Sequence, residues 1–507
     1  MSVLYVPHLI LTTLSISILA LIALNIVLKR PRHMSTATAA LFLPLIASTL
    51  LATFYSGGKF TDGVYLSAKY LGDFNFLVDY VSGPIALTIL GVSMVISIYA
   101  YPYMERKFEE EGEQISSNMK LFYILYYIFS ISMYGSVIST NFAEFYLFLE
   151  VGLISSFILI NNYGYGDRRK IALLYFVWTH IGAVLFLVGA LAFGYYEGSL
   201  NVFGSGGNIV YTGELMQSVA KAVFALMLVG MLVKAAALGF HLWLPYAHAE
   251  APTPISALLS PLLIGIGPYV IFRFLYPLFP AQFSDARLLL AVWGALTIVY
   301  GGLNALFEKD FKRFLAYSSI SQMGYLIISV AAGNIYGFIG LILHYIAHAF
   351  GKAILFASAG SVIYHENGLR DMRQMGGMLK TLPMTGNTAL LGFFTITGMP
   401  PTIGFWSELF IVRGVVEAFY GMGAEGLAII ALLFIGFSLS ISYSFYRYKE
   451  VFQGPPKFGE RKKEDPFIIG SLITLAILAI ALFIVAPVYA NDLTGYLNSL
   501  KALAGGA

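Results

Sequence analysis

The chain has 507 residues, of which 58% are hydrophobic and only 11% are charged, and its mean hydropathy is +0.77. A soluble protein carries about 25% charged residues, and a soluble core stops growing beyond about 250–300 residues. A soluble enzyme, a coiled coil and a disordered chain are therefore excluded, and an intrinsic membrane protein remains. The net charge of +3, from 30 Lys+Arg and 27 Asp+Glu, leaves no nucleic-acid footprint, and the absence of cysteine excludes disulfides and thiolate metal or iron–sulfur sites.

Polar breaks divide the sequence into about fourteen apolar runs long enough to span a bilayer as helices. The alternating segments of a transmembrane barrel are missing. The runs lie near 7–28, 36–55, 78–101, 119–138, 142–162, 171–193, 219–240, 253–275, 287–306, 312–332, 335–363, 383–411, 425–446 and 467–489. The first is too long for the apolar part of a signal peptide and ends in Lys29-Arg30-Pro31-Arg32, so it reads as the first span. Connections after odd-numbered spans hold 21 of the 30 Lys and Arg, whereas those after even spans hold six: Lys59, Lys69, Lys221, Arg273, Arg287 and Arg413. The excess of basic residues predicts odd connections in the cytoplasm, both termini outside and an even number of spans. The longest connections are the Gly-rich, polar 194–218, the acidic run Glu109 to Glu113, and 447–466.

Ionisable side chains inside spans cost about 2.5–3.5 kcal/mol each on insertion scales, so each is a functional candidate. In chain order they are Glu150, His180, Lys234, His241, His248, Glu250, His344, His348, Lys352 and Glu408, with Asp79 and Glu144 near span ends. Glu150 lies in FYLFLEVGLISSFILI and Lys234 in LMLVGMLVKAAALGF, each flanked by apolar turns that rule out snorkelling. They are expected partners if their helices touch, and a static ion pair that only fixes packing is the plain alternative. In KAAALGFHLWLPYAHAEAPTPISALL, Gly239 and Pro245 are expected to interrupt a helix in mid-membrane. Pro252 and Pro254 delay the next span, and His241 and His248 fall in the opened region. His344, His348 and Lys352 stand four residues apart in LHYIAHAFGKAILFASAGSVIYH. That spacing sets them in a line about 12 Å long on one helix face. Such a line suits a proton relay, because imidazole titrates near neutrality and both ring nitrogens can carry a proton. It equally suits a set of satisfied core residues, and no nearby third ligand favours zinc. Gly398, Pro400, Pro401 and Gly404 break a second helix before Glu408. GFHLWLP at 239–245 and GFWSELF at 404–410 hint at an internal repeat, a common transporter plan.

These residues carry a resemblance. KAAALGFHLWLPYAHAEAPTPISALL, DFKRFLAYSSISQMGYLIIS at 310–329, LHYIAHAFGKAILF at 343–356 and LVDYVSGPIAL at 77–87 resemble the proton-translocating, antiporter-like membrane subunits. That family occurs in respiratory complex I, in Mrp-type sodium/proton antiporters, and in membrane-bound energy-converting hydrogenases with their sulfur-reducing relatives. The likeness runs from about residue 75 to 450. It implies an all-α membrane fold of fourteen helices forming one integral domain. Helices 1–3 would lie within 1–110. Two inverted five-helix repeats would cover 119–275 and 286–447, each with one broken helix, and 467–507 would hold helix 14 and the tail. It further implies Glu150 on the fifth helix, Lys234 on the broken seventh, His344, His348 and Lys352 on the eleventh, and Glu408 as the terminal group on the broken twelfth. One departure stands out: matching SALLSPLLIGIGPYVIFR places Gly265 where many members carry a lysine, leaving His248, Tyr269 or water to link the half-channels. The long lateral extension of the largest complex I member is also missing after helix 14.

The resulting expectation is an ion-translocating subunit of a multisubunit cell-membrane complex, moving H⁺ or exchanging Na⁺ for H⁺. Glu150 and Lys234 would form a switchable pair, and the proton would pass by His241, His248, His344, His348 and Lys352 to Glu408. No phosphate-binding loop, haem ligation pattern or cluster ligand set is present. The chain is therefore expected to bind no cofactor or metal and to catalyse nothing alone. Its drive would come from other membrane subunits with a partner redox module, or from an opposing ion gradient. The rivals are a free-standing transporter of an organic solute and a purely structural membrane subunit.

Overall fold

The computed structural model describes residues 8–55, 58–204, 206–210, 217–459 and 461–504, excluding the side chains of 217–218 and 500–504. Residue 7, the expected start of the first span, part of the 194–218 connection, and the side chain of Lys501 lie outside the described residues.

The chain begins with α1 (Leu9–Val27) and α2 (Pro31–Leu50), the latter ending in a π-helical turn at Leu51–Tyr55. Four short strands follow: β1 (Lys59–Thr61), β2 (Leu66–Ala68), β3 (Gly72–Phe74) and β4 (Leu77–Asp79). Then come α3 (Ser82–Glu110), α4 (Ile115–Ile138), α5 (Phe142–Tyr163) and α6 (Arg168–Glu197). The middle of the chain contains α7 (Gln217–Lys234), α8 (Trp243–Glu250), α9 (Thr253–Leu258), α10 (Ile266–Val270) and α11 (Tyr276–Leu278). Two π-helical segments, Leu259–Leu263 and Ile271–Leu275, separate the last three. The remainder is α12 (Pro280–Phe307), α13 (Phe311–Ala331), α14 (Ile335–His365), α15 (Met378–Thr381), α16 (Pro383–Ile396), α17 (Gly404–Phe419), α18 (Ala424–Phe452) and α19 (Pro466–Ala504).

Among the described residues, twelve helices are long and apolar enough to cross a membrane. The chain is an all-α membrane protein in which, among the described residues, the named strands form two small antiparallel pairs, one enclosing the other in sequence. β1 pairs antiparallel with β4, and β2 with β3, inside the connection that follows α2. The remaining two apolar runs are interrupted helices, α7 with α8 and α16 with α17. Their breaks fall at 235–242 and 397–403. Gly239 and Gly398 take positive φ there, +91° and +66°, as residues without a Cβ readily do. Pro245 does not break a helix as expected. It sits in the first turn of α8, where its missing N–H costs nothing.

Polar groups at the helix ends are satisfied by side chains, as a low-dielectric surrounding demands. Asp62 accepts from the N–H groups of Ile10 and Leu11 at 2.9 and 2.8 Å and so caps α1. Asn141 caps α5, Asp310 caps α13, and Asn334 caps α14. Glu464 accepts from Met384 N, Thr385 N and Thr385 Oγ1 and caps α16 from the connection just before α19.

The connections gather at two ends. At the basic end Arg168 lies 3.8 Å from Glu111, Arg370 2.7 Å from Asp310, and Lys462 2.8 Å from Glu366. Arg106 donates there to Asn367 at 2.8 Å. At the opposite end Asp79 and Arg273 form a buried ion pair of 2.6 Å, and Tyr496 of α19 donates to Asp79 at 2.8 Å. Arg287 donates at that end to the carbonyls of Ala331, Ala332 and Ala418. Each set joins connections of one parity, as a bundle of through-running helices requires. In the centre, α14 and the 253–278 segment are buried along essentially their whole length, with α13 beside them.

A buried ionisable chain as candidate functional site

The first element of the site is the face between α5 and α6. Glu150 Oε2 lies 3.1 Å from Nδ1 of His180, which stacks on Phe176, while Glu150 Oε1 is buried without a partner. The expected direct pair with Lys234 is not formed: among the described residues no carboxylate lies within 4 Å of the Lys234 ammonium, although the Glu150 charge acts on it. The reason is placement. Lys234 closes α7 and is 2% exposed, whereas Glu150 is drawn to the α6 side by the nearer imidazole. The sequence marks His180 as an ionisable group within a span, but not as the partner of Glu150.

The break after Lys234 is held by side chains. Leu238 N donates to Thr297 Oγ1 at 3.2 Å, Trp293 Nε1 donates to Leu238 O at 2.9 Å, and Trp243 Nε1 donates to Val233 O at 3.4 Å. His241 is turned to α12, where Nε2 meets the Tyr300 hydroxyl at 3.0 Å, and no hydrogen bond joins it to His248. His248, fully buried in α8, packs on Phe356 with both ring nitrogens unpartnered.

α14 is unbroken from Ile335 to His365, so His344, His348 and Lys352 do form the expected line on one face. Lys352 donates to Leu315 O at 3.1 Å and to the Ser318 hydroxyl. Both nitrogens of His348 lack a hydrogen bond; the Pro261 carbonyl faces it outside hydrogen-bond geometry, and the charges of Lys352, His344 and His248 all act on it. His344 Nδ1 lies 3.2 Å from Ser407 Oγ, Nε2 is unpartnered, and its ring lies 5.4 Å from that of Tyr325. Ser407 precedes Glu408, whose carboxylate packs against the Cα of Gly398 in the second break. Glu408 Oε1 and the Tyr325 hydroxyl are buried without partners, and the two groups interact electrostatically. The structure thus brings His248, His344, His348 and Lys352 into one set of interacting neighbours, with Glu408 beside Ser407 at the His344 end, Glu150 facing His180 and Lys234, and His241 turned to Tyr300.

Gly265 is filled from α14. A Cβ there would lie 2.6 Å from the ring of Tyr345, whose hydroxyl donates to Leu262 O at 2.7 Å. Tyr269, one of the groups offered in place of the missing lysine, donates instead to Val137 O of α4 at 2.7 Å. Of the two side chains, only His248 stays on the line. The motif at 310–329 also holds a polar lining that its reading as a sequence missed. Ser318, Gln322 and Tyr325 recur at helical spacing on α13, and Ser319 meets Ser260 at 2.6 Å. Buried polar atoms are normally satisfied. The imidazoles, the Glu408 carboxylate and the Tyr325 phenol along this path each keep at least one buried polar atom without a protein partner. The arrangement defines a class: a multi-span membrane protein with a row of buried ionisable side chains and two broken helices.

The chain belongs to the NADH:quinone oxidoreductase/Mrp antiporter transmembrane family, whose model matches residues 139–434. It is 32% identical over 411 residues to NAD(P)H-quinone oxidoreductase subunit 5, organellar chromatophore 1, of Paulinella chromatophora, covering 78% of this chain and 59% of the relative. It is 29% identical over 499 residues to a Na(+)/H(+) antiporter subunit of Alkalihalophilus pseudofirmus, covering 92% of this chain and 59% of that protein. The chain thus spans less than two thirds of the length of these relatives. The fold is shared with a chain of the Mrp complex of a Dietzia species, with TM-score 0.83 and 19% identity over 96% of both chains. It is likewise shared with a chain of the membrane-bound sulfane sulfur reductase, an archaeal respiratory membrane complex, with TM-score 0.84 and 22% identity over 98% of both.

Proposed function

We propose that the chain is the ion-translocating subunit of a multisubunit membrane complex and conducts protons along its buried relay. The observation that carries this reading is the line His344–His348–Lys352 on one buried face of α14. Its imidazoles hold unpartnered nitrogens, and the line is flanked by His248 at one side and Glu408 at the other. Lys234 is loaded and unloaded as the Glu150–His180 pair responds to a neighbouring subunit. The proton then moves through His248 to the α14 line and leaves past Glu408. His241, held by Tyr300, sits beside this route and positions the break rather than carrying charge.

Support comes from the relatives, which are subunits of NAD(P)H-quinone oxidoreductase and of a Na(+)/H(+) antiporter. The two interrupted helices fit a fourteen-helix plan with inverted five-helix repeats. The basic end faces the cytoplasm of a cell membrane and both termini lie outside. Moving a charge against 100 mV costs about 2.3 kcal/mol. The chain binds no cofactor or metal of its own, so partner membrane subunits with a redox module, or an opposing ion gradient, supply that energy. Na⁺/H⁺ exchange is the variant of the same function that the antiporter relative suggests. The test is Lys234→Ala in the assembled complex, reconstituted in vesicles. Ion translocation should vanish while the subunits still co-purify, and unchanged translocation overturns the proposal.

A further inference from the structure

A second set of ionisable groups, outside the relay, lies at the basic end. Lys312, in the first turn of α13, is 1% exposed. Its ammonium donates to the Ala251 carbonyl just past α8 and lies over the ring of Tyr165, 5.8 Å from the centroid. Lys107 of α3 lies over the same ring at 4.4 Å, but it is paired with Glu111. Arg370, which also faces Lys312, is neutralised by Asp310 at 2.7 Å. Lys312 differs from both: among the described residues no carboxylate lies within 4 Å of it. The acid that acts on it and is not in an ion pair is Glu250, half-buried at the end of α8 and faced also by Arg370, Asp310 and Asp167. The Glu250 carboxylate is turned to Gly166, where a Cβ would lie 2.6 Å from Oε2. Tyr165 N donates to Glu250 O at 2.8 Å and ties that rim to Lys312.

Behind Lys312 is His248. Ala251 is three residues beyond it, a rise of about 4.5 Å. His248 interacts with both Lys312 and Lys352, and both its nitrogens are buried without a protein partner. A buried ammonium held by a carbonyl and an aromatic face gains less than its burial costs. An apolar side chain would fill the same space, so packing does not explain this lysine.

We infer that Glu250, Lys312 and His248 form the intake through which protons pass between water at the basic end and the buried relay. This rests on the translocation reading above and assigns its mouth. The Glu250 carboxyl, protonated from water, releases its proton to the Lys312 amine. The ammonium so formed gives a proton to an unpartnered nitrogen of His248 and returns to the amine. Only bonds to hydrogen form and break, and water bridges any step too long for direct contact.

The test uses the assembled complex in vesicles, with the pH of each compartment set separately. Arginine keeps the charge of Lys312 and most of its packing but does not release a proton. Lys312→Arg and Lys312→Met are therefore both expected to slow translocation by at least about tenfold, within the range of lost acid–base function. Glu250→Gln should change the dependence of the rate on basic-side pH and leave the dependence on the other side as it was, and Glu250→Asp should restore it. Full-rate translocation by Lys312→Arg, or an unaltered basic-side profile in Glu250→Gln, overturns the intake. If Lys312→Arg fails to assemble, the Glu250→Gln profile decides alone. Lys234→Ala separates the two claims. Should it abolish translocation while Lys312→Arg runs at full rate, the relay stands without this mouth. Should it too run at full rate, the relay itself falls.

Discussion

The buried pair Asp79–Arg273 offers a quantitative test of how the end opposite the basic one is held. Asp79 accepts from Arg273 at 2.6 Å, Tyr496 at 2.8 Å, Val81 N at 2.9 Å and Ser82 N at 2.8 Å. Arg273 has Asp79 as its one carboxylate among the described residues, with the face of Phe203 4.4 Å away and Tyr269 and Tyr496 also acting on it. Breaking a buried pair costs about 3–5 kcal/mol, because one charge stays behind uncompensated. Arg273→Met leaves a carboxylate that keeps four hydrogen bonds, from Tyr496, Val81 N, Ser82 N and Ser82 Oγ, so its cost should lie near the lower figure. Asp79→Leu leaves a buried guanidinium over a ring and should lie near the upper one. A loss of about 3 kcal/mol lowers the folded population relative to the unfolded by roughly a hundredfold. The double variant removes both charges and should be milder than either single change. Denaturant titration of the purified complex in mixed micelles, followed by near-ultraviolet dichroism, measures all three. Single changes below about 1 kcal/mol, or costs that simply add in the double variant, would refute the assignment.

Three further outcomes are expected. Gly398→Ala places a Cβ on the Glu408 carboxylate at a positive φ, so it should cost about 1–3 kcal/mol and slow translocation, as thermal unfolding and vesicle assays would show. Glu464→Ala uncaps α16 and should lower stability by about 1–2 kcal/mol without touching the relay; a translocation defect at full assembly would contradict this. Tyr345→Phe should cost about 1 kcal/mol by freeing the Leu262 carbonyl and leave translocation intact, because the ring and not the hydroxyl fills the space at Gly265.

Helices are legible in the sequence where apolar length decides, and the two breaks are legible because glycine and proline mark them. Pro245 misleads because its position in the first turn depends on where α8 starts, which the Ala236–Gly239 backbone sets. The hairpins at 59–79 are silent: strands of three residues pair across the connection, and such pairing has no periodic signal. The α14 line can be read directly, since its spacing lies within one helix. Partners on different helices cannot. Glu150 and His180 are 30 residues apart, and their contact depends on how α5 meets α6. The polar stripe Ser318, Gln322, Tyr325 is visible at helical spacing but lies hidden in a motif conspicuous for its likeness. The direction taken by Tyr269 towards Val137 comes from the π-helical turns around it, which shift the register by a residue.

The continuity of α14 decides where motion is cheap. A 31-residue rod clamped on all sides makes a stiff backbone for the histidines, and bending it would break ladder bonds deep in oil. The interruptions at 235–242 and 397–403 are different: indole, hydroxyl and amide side chains stand in for the missing ladder there. Those substitutes can swap partners one at a time. If the proposed translocation holds, a stroke that opens or shuts the path falls at these two joints, while the rod between them keeps the histidines evenly spaced.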